Sequence, residues 1–77
     1  MFEQEIIEAI KAVCLEQDPD SVVILDCREE DGCLTIRGGI RSEAEIYPEA
    51  IARGVAKDAG VDLQVVVDLT FHEHRWQ

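Results

Sequence analysis

Ser21-Val22-Val23-Ile24-Leu25-Asp26-Cys27-Arg28-Glu29-Glu30-Asp31-Gly32-Cys33-Leu34-Thr35-Ile36-Arg37-Gly38 reads as a β-hairpin in a single run. Residues 21–28 are mostly β-branched or apolar and form the first strand. Glu29-Glu30-Asp31-Gly32 is the turn, and an Asp-Gly pair between two apolar runs is a strong hairpin signal. Residues 33–38 form the return strand. With Asp31-Gly32 as a two-residue loop, Glu30 faces Cys33, Cys27 faces Ile36 and Asp26 faces Arg37. That register predicts Val23, Leu25, Cys27, Leu34 and Ile36 on one face, and a cross-strand Asp26–Arg37 pair on the other.

The flanks supply the rest of a domain. Phe2, Ile6, Ile7, Ile10, Val13 and Cys14 recur at three- and four-residue steps, which predicts a helix over 2–17. Glu3, Glu5 and Glu8 fall in its first turns, where the helix dipole favours negative charge. Asp18-Pro19-Asp20 ends it, because a residue before proline avoids the helical region. Gly38-Gly39 is expected to break the return strand. Ser42-Glu43-Ala44-Glu45 has capping-box spacing, which predicts a short turn over 42–46. Pro48 suits a first helical position, so the second helix is expected over 48–59, closed by Gly60. Its small pairs, Ala50 with Gly54 and Ala52 with Ala56, allow close packing. Leu63, Val65, Val67, Leu69 and Phe71 alternate with polar residues and Val66, a strand over 62–71. The predicted architecture is α+β: two helices on one face of a small three-stranded mixed sheet, in the order α-β-β-α-β. Residues 1–77 make one domain, with 72–77 as an extension of the last strand or a flexible tail. The other sheet face is mostly polar, Val22, Ile24 and Val66 excepted. An open face of this kind suits partner docking or a homodimer.

Charge sets the class of partner. The formal net charge is −10 on 77 residues, and the segment through Asp31 carries −8 of it. Such a surface repels nucleic acid and anionic membranes and attracts basic proteins. No apolar run approaches the roughly 20 residues of a membrane span. The acidic start Met1-Phe2-Glu3-Gln4-Glu5 is unlike a signal peptide, and three cysteines form neither a disulfide framework nor a zinc pattern. These features predict a cytoplasmic, reducing setting with free thiols.

Chemistry-bearing groups are sparse. His72-x-His74 sets two imidazoles on one side of an extended tail, half of a metal site, with no nearby cysteine to complete it. Cys14 and Cys27 fall on apolar faces and read as small hydrophobes. Cys33 points to the open face beside acidic residues, which disfavour a thiolate. Gly38-Gly39 lacks the lysine or G-x-G pattern of a phosphate loop. Glu29-Glu30-Asp31 lacks calcium-loop spacing. No acid–base or nucleophile pair emerges, so an enzyme is not expected, and no cofactor is implied.

The element order resembles that of the C-terminal module of Nfu-type iron–sulfur scaffolds. Those modules carry Cys-x-x-Cys after the second strand, where this chain has Arg37-Gly38-Gly39-Ile40-Arg41. The cluster function therefore does not transfer. The order is also similar to that of RNA-binding KH modules of the second type, but their Gly-x-x-Gly loop and basic face are missing here.

An antiparallel first helix and first strand gather Glu3, Glu5, Glu8, Glu29, Glu30 and Asp31 at one pole, joined by Asp58 and Asp62. Arg41, Tyr47, His72, His74 and Trp76 are expected at the other, with the residue types that contact surfaces favour. The leading expectation is a non-enzymatic protein–protein interaction module whose acidic surface binds a basic partner. A sharper form is an inhibitor that mimics nucleic acid against a nucleic-acid-binding protein. The competing expectation is a small metal- or ligand-binding domain using His72 and His74.

Overall fold

The computed structural model describes residues 2–73, without the side chains of Phe2 and Glu73. The expectations for His74, Arg75 and Trp76 lie outside the described residues. The elements are α1 (Phe2–Gln17), β1 (Val22–Glu30), β2 (Cys33–Ser42), α2 (Pro48–Asp58) and β3 (Gln64–Glu73). They form an α+β fold with sheet order β1-β2-β3, in which β1 and β2 are antiparallel and β2 and β3 parallel.

The hairpin register is the one the sequence predicts: Glu30 pairs with Cys33, Cys27 with Ile36 and Asp26 with Arg37. Its turn places Asp31 at φ 52° and Gly32 at φ 76°, the positive angles that a type I′ turn requires and that match the twist of the strands. The face that turns inward is apolar. Cys27, Leu34, Ile36 and Ile40 are buried there, against Ile6, Ile10 and Cys14 of α1 and Ala52 of α2. Helix α1 lies over β1 and α2 over β3. In α2, Ala52 and Ala56 face the core and let its backbone approach closely, whereas Ala50 and Gly54 face solvent.

Three expectations are corrected. Gly38-Gly39 does not break β2, which runs on to Ser42. Gly38 sits in mid-strand at φ +144°, a conformation open to glycine and strained for other residues. A Cβ there would run into the Ile24 carbonyl, with the Ile24 carbon at 2.9 Å and Leu25 Cα at 3.0 Å. Second, residues 42–46 form a bend and no helical turn, although Ser42 itself makes a cap-like bond. Ser42 is buried at the end of β2, where its hydroxyl donates to Asp18 Oδ2 at 2.7 Å and accepts from the Ala44 amide at 3.0 Å. Third, Asp26 forms its ion pair with Arg28, two residues along the same strand, at 2.9 Å, rather than with Arg37.

Asp18 ties the ends of three elements together. It follows α1, its amide bonding the Cys14 carbonyl at 2.9 Å. Its carboxylate accepts from the Asp20 amide at 3.0 Å, the Ser42 hydroxyl and the Glu43 amide at 3.0 Å. These donors hold the carboxyl below its ordinary pKa, the Ser42 hydroxyl most strongly. Helix α2 starts at Pro48 after Tyr47, and its last turn closes with Gly60 N–H to the Lys57 carbonyl and Val61 N–H to the Ala56 carbonyl, each at 3.0 Å.

Candidate functional site

Helix α1 runs antiparallel to β1, because only four residues join them and Asp18 is fixed beside the end of β2. Its first turn therefore lies along the second half of β1. The Glu3 carboxylate is near enough to Cys27 to raise that thiol's pKa, after the larger effect of burial and ahead of Asp26. Glu5 and Asp58 line one shallow depression, so the start of α1 meets the end of α2. Glu29, Glu30 and Asp31 project from the hairpin tip, all exposed. Asp62 precedes β3, whose first residue, Gln64, pairs with Cys33 beside that tip. Glu5 is thus beside Asp58, Glu3 near Cys27 of β1, and Glu29, Glu30 and Asp31 at the hairpin tip near the start of β3, while Glu8 stands further along α1.

Cations are near these carboxylates: Glu30 shares a depression with Arg28 and Arg37, and Lys57 precedes Asp58 in the last turn of α2. Among the described residues the two ion pairs are Arg28–Asp26 and Arg53–Glu49, and neither includes a carboxylate of the pole. Glu8 accepts a hydrogen bond from Gln4 at 2.8 Å, one turn away on α1. Like charges held within about a Debye length, roughly 8 Å at physiological ionic strength, repel one another.

The residues expected at the other end are divided between surfaces. Arg41 lies on the open sheet face, paired in register with Val22 on one side and His72 on the other. Tyr47 stands before α2, on the opposite side of the sheet, 63 % exposed, with its hydroxyl donating to Glu45 Oε1 at 2.7 Å. That bond, and the Glu45 charge, raise the phenol's pKa. His72 is exposed, and among the described residues no three His, Cys, Asp or Glu side chains converge as metal ligands.

Cys14 and Cys27 are buried, and burial pushes both thiols up. Cys33 is half-buried on the open face, 4.0 Å from Gln64 Oε1. Sequence reasoning placed the three thiols but missed the Asp18–Ser42 bond. Its partners are 24 residues apart and carry no local pattern. No protein-family model matches this chain.

Among the described residues no helix is long and apolar enough to cross a membrane.

Proposed function

We propose that this chain is a non-enzymatic interaction module that binds a basic protein surface through its acidic pole. The supporting observation is the set of carboxylates on α1, the hairpin tip and the end of α2, none of which is in an ion pair among the described residues. Folding holds like charges close here, a cost that a basic partner removes on binding. Electrostatics of this kind act first on association rate and partner choice. Spaced carboxylates on a firm frame also imitate phosphates, which makes the nucleic-acid-binding site of another protein the target class that fits best.

The test is affinity capture with the purified chain in parallel with a variant carrying Glu3→Gln, Glu5→Gln, Glu29→Gln, Glu30→Gln and Asp31→Asn. Binding of the captured protein is then measured at low and high salt. A partner lost from the variant, with affinity falling steeply as salt rises, supports the reading. A partner held equally by both, at an affinity indifferent to salt, refutes it.

A further inference from the structure

The open sheet face differs in charge from the rest of the chain. Five rows cross it in register: Glu30–Cys33–Gln64, Arg28–Thr35–Val66, Asp26–Arg37–Asp68, Ile24–Gly39–Thr70 and Val22–Arg41–His72. Three carboxylates and three guanidiniums alternate there, so the face is neutral on a chain of net charge −10. It also holds three of the exposed large hydrophobic side chains: Val22 at 52 %, Ile24 at 72 % and Val66 at 40 %. Beside Ile24, Gly39 leaves an open depression between Ile24, Arg41, Thr70 and His72. A projecting side chain thus stands next to a hollow in the same row.

We infer that this face is a self-association surface, occupied by a second copy of the chain about a two-fold axis parallel to the strands and lying between β1 and β2. Packed sheets sit about 10 Å apart with strands nearly aligned. An isologous contact sets each residue of β1 over its row partner in β2 of the other copy. Ile24 then seats over the Gly39 hollow of the second copy, and Asp26 meets its Arg37, each contact occurring twice. Alternative axes are poorer. An axis over β2 sets Arg37 on Arg37. An axis across the strands through the Asp26 row does the same, and one through the Ile24 row sets Arg37 on Arg41. An axis between β2 and β3 is matched in charge, Arg37 on Asp68, but leaves Val22 and Ile24 uncovered.

The contact is small. Two strands of about 30 Å, roughly 5 Å apart, cover an area below that of standard stable interfaces, which points to a dimer with a dissociation constant in the range of tens of micromolar. The axis keeps the strand direction, so both hairpin tips point the same way. The dimer would carry its two acidic poles side by side and present a basic partner with a doubled site. The inference rests on the open face and stands independently of the proposed function.

Sedimentation velocity over a concentration series tests it, with circular dichroism to verify folding. The natural chain is expected to be monomeric when dilute and dimeric above about 100 µM. Arg37→Asp and Asp26→Arg should each lose self-association, because each sets like charges face to face. Mixed in equal amounts, these two variants should form a heterodimer, since every facing pair is again opposite in sign. A mixture of Arg37→Asp with Asp68→Arg should not. If a charge variant fails to fold, Ile24→Thr removes the projecting side chain from an exposed strand position and should weaken the dimer at least tenfold. A natural chain that stays monomeric at about 1 mM overturns the inference, as does self-association unchanged by these substitutions or a heterodimer formed through Asp68→Arg. Docking of some other molecule on this face, with no dimer, overturns it equally.

Discussion

Gly38 and Gly39 are neighbours in β2, and alanine should have opposite consequences at the two positions. At 38, alanine would have to keep φ +144°, and strain of that kind costs about 1–3 kcal/mol. Its Cβ would also collide with the Ile24 carbonyl, and backbone of the adjacent strand cannot swing aside as a flexible side chain does. Forcing β1 away adds roughly 1–3 kcal/mol, as overpacking typically does. Together that is about 2–6 kcal/mol, against a total stability near 4–11 kcal/mol for a domain of this length. At about 4–8 °C per kcal/mol, the melting point of Gly38→Ala should fall by at least roughly 8 °C, and the variant sits near the limit of folding. At 39 the new Cβ would meet Thr70 Oγ1 at 3.1 Å, the end of a side chain whose present bond to the Gly38 carbonyl is long at 3.4 Å. Rotation of Thr70 relieves that contact, and alanine restricts the unfolded chain by about 0.4–1 kcal/mol. Gly39→Ala should therefore stay within a few degrees of the natural protein. Thermal melts by circular dichroism, at dilute concentration so that self-association is absent, decide the matter. Equal losses at the two positions, or a greater loss at 39, would refute the assignment of Gly38 as the fixed point of the β1–β2 pairing.

Other expectations follow from single groups. Asp18 has a folded pKa below its unfolded value, so its stabilisation is present above the ordinary carboxylate range and is lost as pH falls through the folded value. Asp18→Asn should lower the melting point at neutral pH, and the gap to the natural chain should narrow as pH falls through the folded value; a constant gap would disprove the linkage. A thiol reagent should modify Cys33 first, with Cys14 and Cys27 reacting only on unfolding, which mass spectrometry of partly labelled protein reads directly. Ser21 Oγ is buried without a hydrogen-bond partner among the described residues, so Ser21→Ala should leave the melting point unchanged or raised, and a marked fall would reveal a missed partner. Leu34 is fully buried on the central strand, and Leu34→Ala should cost about 2–5 kcal/mol in denaturant unfolding, a loss too large for an edge position.

The hairpin was legible because its decisive signal is local. Asp31-Gly32 fixes the loop, the loop fixes the register, and the register fixes which face is buried. The helices were legible for a similar reason, through periodic apolar residues and Pro48. The errors came where a distant residue decides. Glycine pairs usually end strands, but β1 and β3 pair with both sides of Gly38 and Gly39 and hold them extended. Ser42 has the spacing of a cap and bonds the Ala44 amide as one, yet it ends β2 with its proton given to the distant Asp18, and no helical turn follows it. Asp26 had two arginines within reach. It pairs with the one along its own strand, while Arg37 stands in register between Asp26 and Asp68. The antiparallel packing of α1, on which the proposed acidic pole rests, was readable from the short connection at 18–21. The division of Arg41 from Tyr47 was not, because it depends on which side of the sheet each residue leaves β2.

The parallel pairing of β3 with β2 has a consequence during synthesis. Helix α1 and the hairpin are contiguous in sequence and can pair as soon as residue 42 is available. The inner edge of β2, with Leu34, Ile36 and Ile40, then waits for residues 64–73. A nascent chain holding an unpaired apolar edge is prone to join its neighbours on the same message. At that stage the emerged segment already carries most of the negative charge, and repulsion between nascent chains opposes such joining until β3 arrives.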